Sequence, residues 1–262
     1  MTTADPGTGG SAPVRVRMTV AYNGTGYRGF WAVEGQRTVA GDLVEGLEKV
    51  LRHPIELTCA GRTDAGVHAT GQVVSFDADP NRLDPERLQA SLNGLLAPAI
   101  AVREVGVSDP DFDARFSARA RWYRYRVRSA PVPDPLRAGL VWPVRHVLDG
   151  RAMNEAARQL VGEHDFTSFC RRPKPAPDGT ERSLVRRVIA AQWGAADDEW
   201  HFEIGASAFC HQMVRSITGT LVDIGRGRLP ADAVSGILAA QDRNQAGTIA
   251  PPQGLVLHRV DY

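Results

Sequence analysis

With 262 residues, 43% of them hydrophobic and 23% charged, the chain can bury a substantial core as one large domain or two of ordinary size. No apolar run approaches the roughly 20 residues needed to span a bilayer, and a net charge of +1 does not by itself mark a nucleic-acid binder. Three scattered cysteines, Cys59, Cys170 and Cys210, have no paired metal-ligand spacing and read as free thiols in a reducing cytoplasm.

Met1 to Pro13 is rich in Thr, Gly, Ser, Ala and Pro, lacks the apolar core of a signal peptide, and reads as a disordered tail. Arg15 to Tyr22 alternates like a strand. A glycine-studded loop follows from Asn23 to Trp31, carrying Arg28 and aromatics that either cap the core or form a contact surface. Thr38 caps a helix whose apolar stripe is Val39, Leu43, Val44, Leu47, Val50 and Leu51. Ile55 to Thr58 reads as a strand entering the run Cys59 to Gln72, and Gln72 to Phe76 as one leaving it. Inside that run Gly61, Gly66 and Gly71 recur at a spacing of five, with Arg62 beside Asp64. Two readings fit: an ordinary turn with a surface ion pair, or a carboxylate nucleophile held aimed by Arg62 and the loop amides. Spacing does not choose between them. Asp84-Pro85-Glu86 opens a second helix with a buried face of Leu88, Leu92, Leu95 and Leu96, and Ala99 to Val107 is a further strand. Strand, helix, strand, strand, helix, strand is the split βαβ pattern of ferredoxin-like and RNA-recognition domains.

The segment Arg115 to Arg128 holds six arginines and no acid. From Arg121 it alternates as a strand, with Trp122, Arg124, Arg126 and Arg128 on one face and Arg121, Tyr123, Tyr125 and Val127 on the other. An all-arginine face is a solvated edge or a phosphate track. Arg151 to Val161 reads as a helix, and Glu163 to Phe169 as a loop packed by Phe166 and Phe169. Arg171 to Arg187 carries six basic residues against Asp178 and Glu181, a loop that is either solvated or, through Arg171 and Arg172, set against a polyanion. Leu184 to Trp193 and Glu199 to Ala206 form a strand pair, Phe209 to Ile224 a long helix, and Gly254 to Val260 a last strand.

The run Ala60-Gly61-Arg62-Thr63-Asp64-Ala65-Gly66-Val67-His68-Ala69-Thr70-Gly71-Gln72-Val73 closely resembles the active-site motif of the TruA-type tRNA pseudouridine synthases. Further blocks resemble the family in family order: Phe116-Ser117-Ala118 with Arg121 to Tyr125, Glu163 to Phe169, and Cys210 to Arg215. The chain departs from the family pattern at Asn23 (usually Asp), Phe30 (usually Trp) and Gln212 (usually a second His).

The resemblance implies an α+β fold with two ferredoxin-like or RNA-recognition-like halves, each with an antiparallel sheet, and an active-site cleft between them. The expected division is a tail over 1–13, an N-terminal domain over 14–112 with the catalytic loop, and a C-terminal domain over 113–262. The implied activity is isomerisation of uridine to pseudouridine at positions 38 to 40 of the tRNA anticodon stem-loop, with no cofactor and no metal. Asp64 would be the nucleophile, with Arg62 and Arg215 reaching it and Tyr123 lying against the target base. Arg28, Arg121, Arg124, Arg126, Arg171 and Arg172 would meet the RNA backbone. The family resemblance also implies a cytoplasmic homodimer that shares one tRNA between subunits. Two other classes stay open: an RNA-binding protein without catalysis, and a metal-dependent hydrolase built on His68, His201 and His211 with Asp64.

Overall fold

The computed structural model describes residues 12–31, 35–172 and 178–262. The expected tail lies almost wholly outside these residues, as do residues 173–177 of the basic loop. Strand β1 (Val14–Tyr22) turns Val16, Met18, Val20 and Tyr22 into the core. Helix α1 (Val39–Leu51) starts where the Thr38 hydroxyl accepts from the Gly41 amide, one of the donors a helix start otherwise leaves unpaired. Helix α2 (Pro85–Leu96) uses Asp84 on the Arg87 amide in the same way. Its buried face is narrower than expected: Leu88 and Leu92 are enclosed, but Leu95 is 45% exposed. Strand β2 is also shorter than its sequence pattern, with only Thr58–Cys59 paired, although Ile55 and Leu57 stay buried without ladder partners. Strands β3 (His68–Ala78) and β4 (Ile100–Val107) complete this half.

In the second half β5 (Ala120–Ser129) is followed by a short β6 (Trp142–Val144) and α3 (Gly150–Arg158), capped by Asp149. The segment read as a loop before Phe166 contains the edge strand β7 (Gly162–Asp165). Strands β8 (Val185–Ala196) and β9 (Glu199–Ala206) form a hairpin, and α4 (Met213–Gly225), α5 (Ala233–Ala240) and β10 (Leu255–Asp261) finish the chain order. Helix α4 begins four residues later than its apolar pattern, because Gln212 sits in the left-handed region at φ 65°. Every residue of α4 is buried except Arg215, so its one partly exposed position carries the cation.

The strands make one ten-stranded sheet in the order β4-β1-β3-β10-β5-β9-β8-β7, with β2 beside β3 and β6 beside β5. It is mostly antiparallel. The halves meet in a short parallel seam, Val256 opposite His68 and Leu257 opposite Ala69. Along the edge of β3 away from β1, β2 pairs with Val74 and Ser75, and β10 pairs with His68 and Ala69. The chain between β2 and β3 therefore leaves the sheet where β10 enters it.

Candidate active site

That excursion is the glycine-rich run. Ala60 still donates to the Val73 carbonyl, after which Gln72 holds the departing chain from inside the protein. The fully buried Gln72 amide donates to the Gly61 carbonyl at 2.6 Å and accepts from the Gly61 amide at 3.3 Å. Thr63 pairs its hydroxyl with Tyr22 at 2.8 Å, and its carbonyl accepts from the Phe30 amide. Phe30 is fully buried and props the loop from below. A turn closes by the Val67 amide donating to the Asp64 carbonyl, with Gly66 at φ +78° in the place that needs left-handed backbone. Gly71 answers a different need, since a Cβ there would run into the His258 carbonyl across the seam.

The loop presents Asp64, whose side chain is 24% exposed. One carboxylate oxygen, Oδ2, accepts from Arg215 Nη1 at 3.0 Å, and the other, Oδ1, lies 3.3 Å from His211 Nε2. Arg215 is braced in turn: its Nε donates to the Ala250 carbonyl at 2.9 Å, and the Ala250 amide donates to the Arg215 carbonyl at 3.0 Å. Tyr123 is buried against the edge of Phe209, ring centroids 5.1 Å apart. Burial, then the nearby Asp64 charge, push its hydroxyl well above the ordinary tyrosine pKa, so it is a neutral phenol. Asp64, Arg215, His211 and Tyr123 line one pocket of about 930 Å³.

Arg62 lies elsewhere than expected. Its guanidinium stacks on Trp31, 4.6 Å from the ring centre, and the side chains on Asp64 are Arg215 and His211. The arginine face of β5 likewise has partners that its own sequence does not reveal. Arg124 pairs with Glu203 at 2.9 Å, Arg126 with Glu199, and Arg128 with Asp198, all acids of β9 or its turn. Register explains the first, since β9 runs antiparallel beside β5 with Glu203 opposite Arg124, while Arg126 and Arg128 reach past their direct neighbours to Glu199 and to Asp198 of the turn. Arg121 lines the pocket, but its guanidinium donates to the carbonyls of Ala60, Ala118, Ser207 and Arg115. Arg28 and Arg171 are exposed and engage their neighbours through backbone amides, to Arg37 and His211 respectively. Arg172 is exposed and pairs loosely with Glu181 at 3.6 Å.

Three features of the site escape the sequence reading. His211 comes onto Asp64 from a left-handed turn rather than from a helix face. Cys170 and Cys210 form a disulfide, Cα atoms 5.8 Å apart, which corrects the expectation of free thiols; Cys59 alone is free, and it is buried. Their separation of 40 residues matches no motif, and only the packing of the turn at Thr167–Phe169 near the start of α4 brings them together. Arg115 and Phe116 also line the pocket. Among the family departures, Asn23 accepts from the Thr25 amide, a turn contact an aspartate makes equally well. The histidines of the metal reading stand apart. His68 is bound between loop backbones, His201 sits with Glu199, and among the described residues no three His, Cys, Asp or Glu side chains gather to hold an ion.

A family model described as tRNA pseudouridine synthase matches residues 18–117 and 156–262. The chain belongs to the tRNA pseudouridine synthase family. It is 41% identical over 249 residues to "tRNA pseudouridine synthase A" of Myxococcus xanthus, covering 95% of this chain and 92% of that one. It is 40% identical over 249 residues to the protein of the same name from Geobacillus sp. (strain WCH70), covering 95% and 98%. The Bacillus subtilis (strain 168) relative, also so named, is 38% identical over 251 residues, covering 95% and 99%. The family match includes the Asp64 loop in its first block and Arg215 in its second, which are joined at the pocket. Among the described residues no helix is long and apolar enough to cross a membrane.

Proposed function

We propose that the chain isomerises uridine to pseudouridine in tRNA, in the anticodon stem-loop at positions 38 to 40, with Asp64 as nucleophile. The observation that carries this reading is the Asp64 carboxylate in a large pocket, held at Oδ2 by Arg215 and with His211 3.3 Å from Oδ1, and a neutral Tyr123 in the same lining. A carboxylate attacks the nucleoside, the bond from C1′ to N1 breaks, the uracil turns, a bond forms from C1′ to C5, and the bond to the carboxylate breaks again to free it. The proton on C5 leaves and N1 gains one, so atoms and electrons balance without an oxidant, a reductant or a water. Arg215, a donor fixed before substrate arrives, keeps the carboxylate aimed, and the Tyr123 and Phe209 rings form a wall for a flat base. A uridine in a stem reaches such a pocket only by leaving the stack.

Two ferredoxin-like halves, divided near residue 113, are part of the proposal. Their support is a repeated strand order: β4-β1-β3 with β2 beside β3, and β10-β5-β9-β8. The pocket draws Asp64 from the first half and Arg215 from the second, as a cleft between them requires. The exposed Arg28, Arg62, Arg171 and Arg172 are proposed to meet the RNA backbone, whereas Arg121, Arg124 and Arg126 serve it by shaping the sheet that bears Tyr123. We place the protein in the cytoplasm as a homodimer sharing its tRNA. Light scattering at micromolar concentration is expected to give twice the chain mass, and a monomer would refute the shared site.

The reading is tested by release of tritium from C5-labelled uridine in an unmodified tRNA transcript, in the presence of a chelator. Wild-type protein is expected to release it and D64N to bind the RNA without release. Equal release by both would move the chemistry off Asp64, and binding without release by either would leave an RNA-binding protein.

A further inference from the structure

The loop between β4 and β5 is fixed from several sides. Asp113 Oδ1 accepts from the amides of Arg115 at 2.7 Å and Phe116 at 2.8 Å, while the Asp113 amide donates to Ser117 Oγ. The Ala114 amide donates to buried Ser75, and the Ala114 carbonyl accepts from Tyr262. The Arg115 carbonyl accepts from Arg121. From this rigid support Phe116 projects into solvent, 79% exposed, at a wall of the Asp64 pocket. Arg115 lies over its ring at 5.0 Å. Trp31, 38% exposed, lines the same pocket and carries Arg62 over its own ring.

Single exposed apolar residues are ordinary. Two large aromatics on one pocket, each with a guanidinium laid on its ring and one locked outward by five hydrogen-bonded neighbours, are a built surface. Its ligand must offer a flat apolar face beside a negative charge, and a nucleotide has both. Extruding one base leaves its neighbours without a stacking partner on that side. We propose that Phe116 and Trp31 are stacking platforms for the bases that flank the target uridine, with Arg115 and Arg62 set against their phosphates. This rests on the reading that an RNA uridine enters the Asp64 pocket, and it assigns the contacts that hold its neighbours.

The test is binding of a fluorescently labelled, unmodified tRNA transcript across a salt series, for wild type, F116A, F116L, F116W, W31A and R115A. F116A and W31A are each expected to bind about tenfold or more weakly at every salt concentration, because lost stacking is uncharged and leaves the salt slope alone. F116W should restore affinity and F116L should not, while R115A should flatten the slope. The thermal midpoint of F116A should match wild type, since the ring touches so little of the core. F116A within about twofold of wild type, rescue by F116L equal to F116W, or a changed salt slope in F116A would overturn the proposal. A wild-type protein that binds the transcript yet releases no tritium refutes the isomerase reading, and the ranking of the variants still decides the stacking one.

Discussion

Asp64 has two side chains against its carboxylate, the donor Arg215 and the nearby His211, and they differ in their own support. His211 is half exposed and reaches in from a turn, whereas Arg215 is mostly buried and tied at both backbone and side chain to Ala250. A lysine at 215 could approach Asp64 or the Ala250 carbonyl, but its single ammonium does not reproduce the planar fork that serves both. R215A is expected to lower the rate of tritium release by about a hundredfold or more, with R215K recovering only part of it. R215A should also lower the melting temperature, since the Ala250 carbonyl loses its guanidinium donor at a cost of about 1–3 kcal/mol. Wild-type rates in R215A would remove Arg215 from the machinery. At this scale the motif around Asp64 was fully legible, but its partner was not derivable from spacing. Arg62 stands two residues away and turns to Trp31, while Arg215 is 151 residues away and touches the carboxylate.

Elements were legible where a local signal ends them. Thr38 and Asp84 stop the chain and start a helix by hydrogen bonds within three residues, and both helices begin where their caps say. Between Phe209 and Gln212 the apolar pattern runs on without a cap, and the helix begins late at a left-handed residue that no propensity marks. Ion pairs across strands were illegible for a related reason, because the acids that meet Arg124, Arg126 and Arg128 come from β9 and the turn before it, which only the pairing of the two strands brings near. Glycines separate in the same manner. G71A would press a methyl group against the His258 carbonyl and is expected to cost about 1–3 kcal/mol of stability while lowering tritium release, as β10 shifts from β3. G94A, on an exposed turn of α2 with open space around it, is expected to be neutral or to stabilise by up to about 1 kcal/mol. Thermal unfolding of the pair checks both, and equal midpoints would show that the seam tolerates the methyl group.

Over the whole molecule, His68 joins segments far apart in sequence. Its Nδ1 accepts from the Gly24 amide, and its Nε2 lies within hydrogen-bond reach of the Gly139 and Gln253 carbonyls, so the ring is needed neutral. Burial holds its pKa below the ordinary value of 6.5, and burial lowers His201 and His258 as well. Between those lowered values and 6.5 the unfolded chain binds protons that the folded one excludes. Stability is therefore full above that window and falls as the pH drops through it. The melting temperature is expected to decline from about pH 7.5 to about pH 5, with H68Q showing a flatter profile. An unchanged slope in H68Q would mean that other groups set it. The sequence showed two similar runs of elements, yet not that they merge into one sheet, because the seam rests on a parallel pairing of two residues with no signature of its own.

The strand that makes this seam, β10, is the last element in chain order and lies near the middle of the sheet. A ribosome delivers it after everything it must separate. Until it arrives β3 and β5 each present an open edge, Gly71 faces no carbonyl, and His68 lacks one of the backbones it clips. Such a nascent chain has its Asp64 loop but no seam to aim it, so on the proposed reading competence to act on RNA would come with β10 rather than accrue by halves.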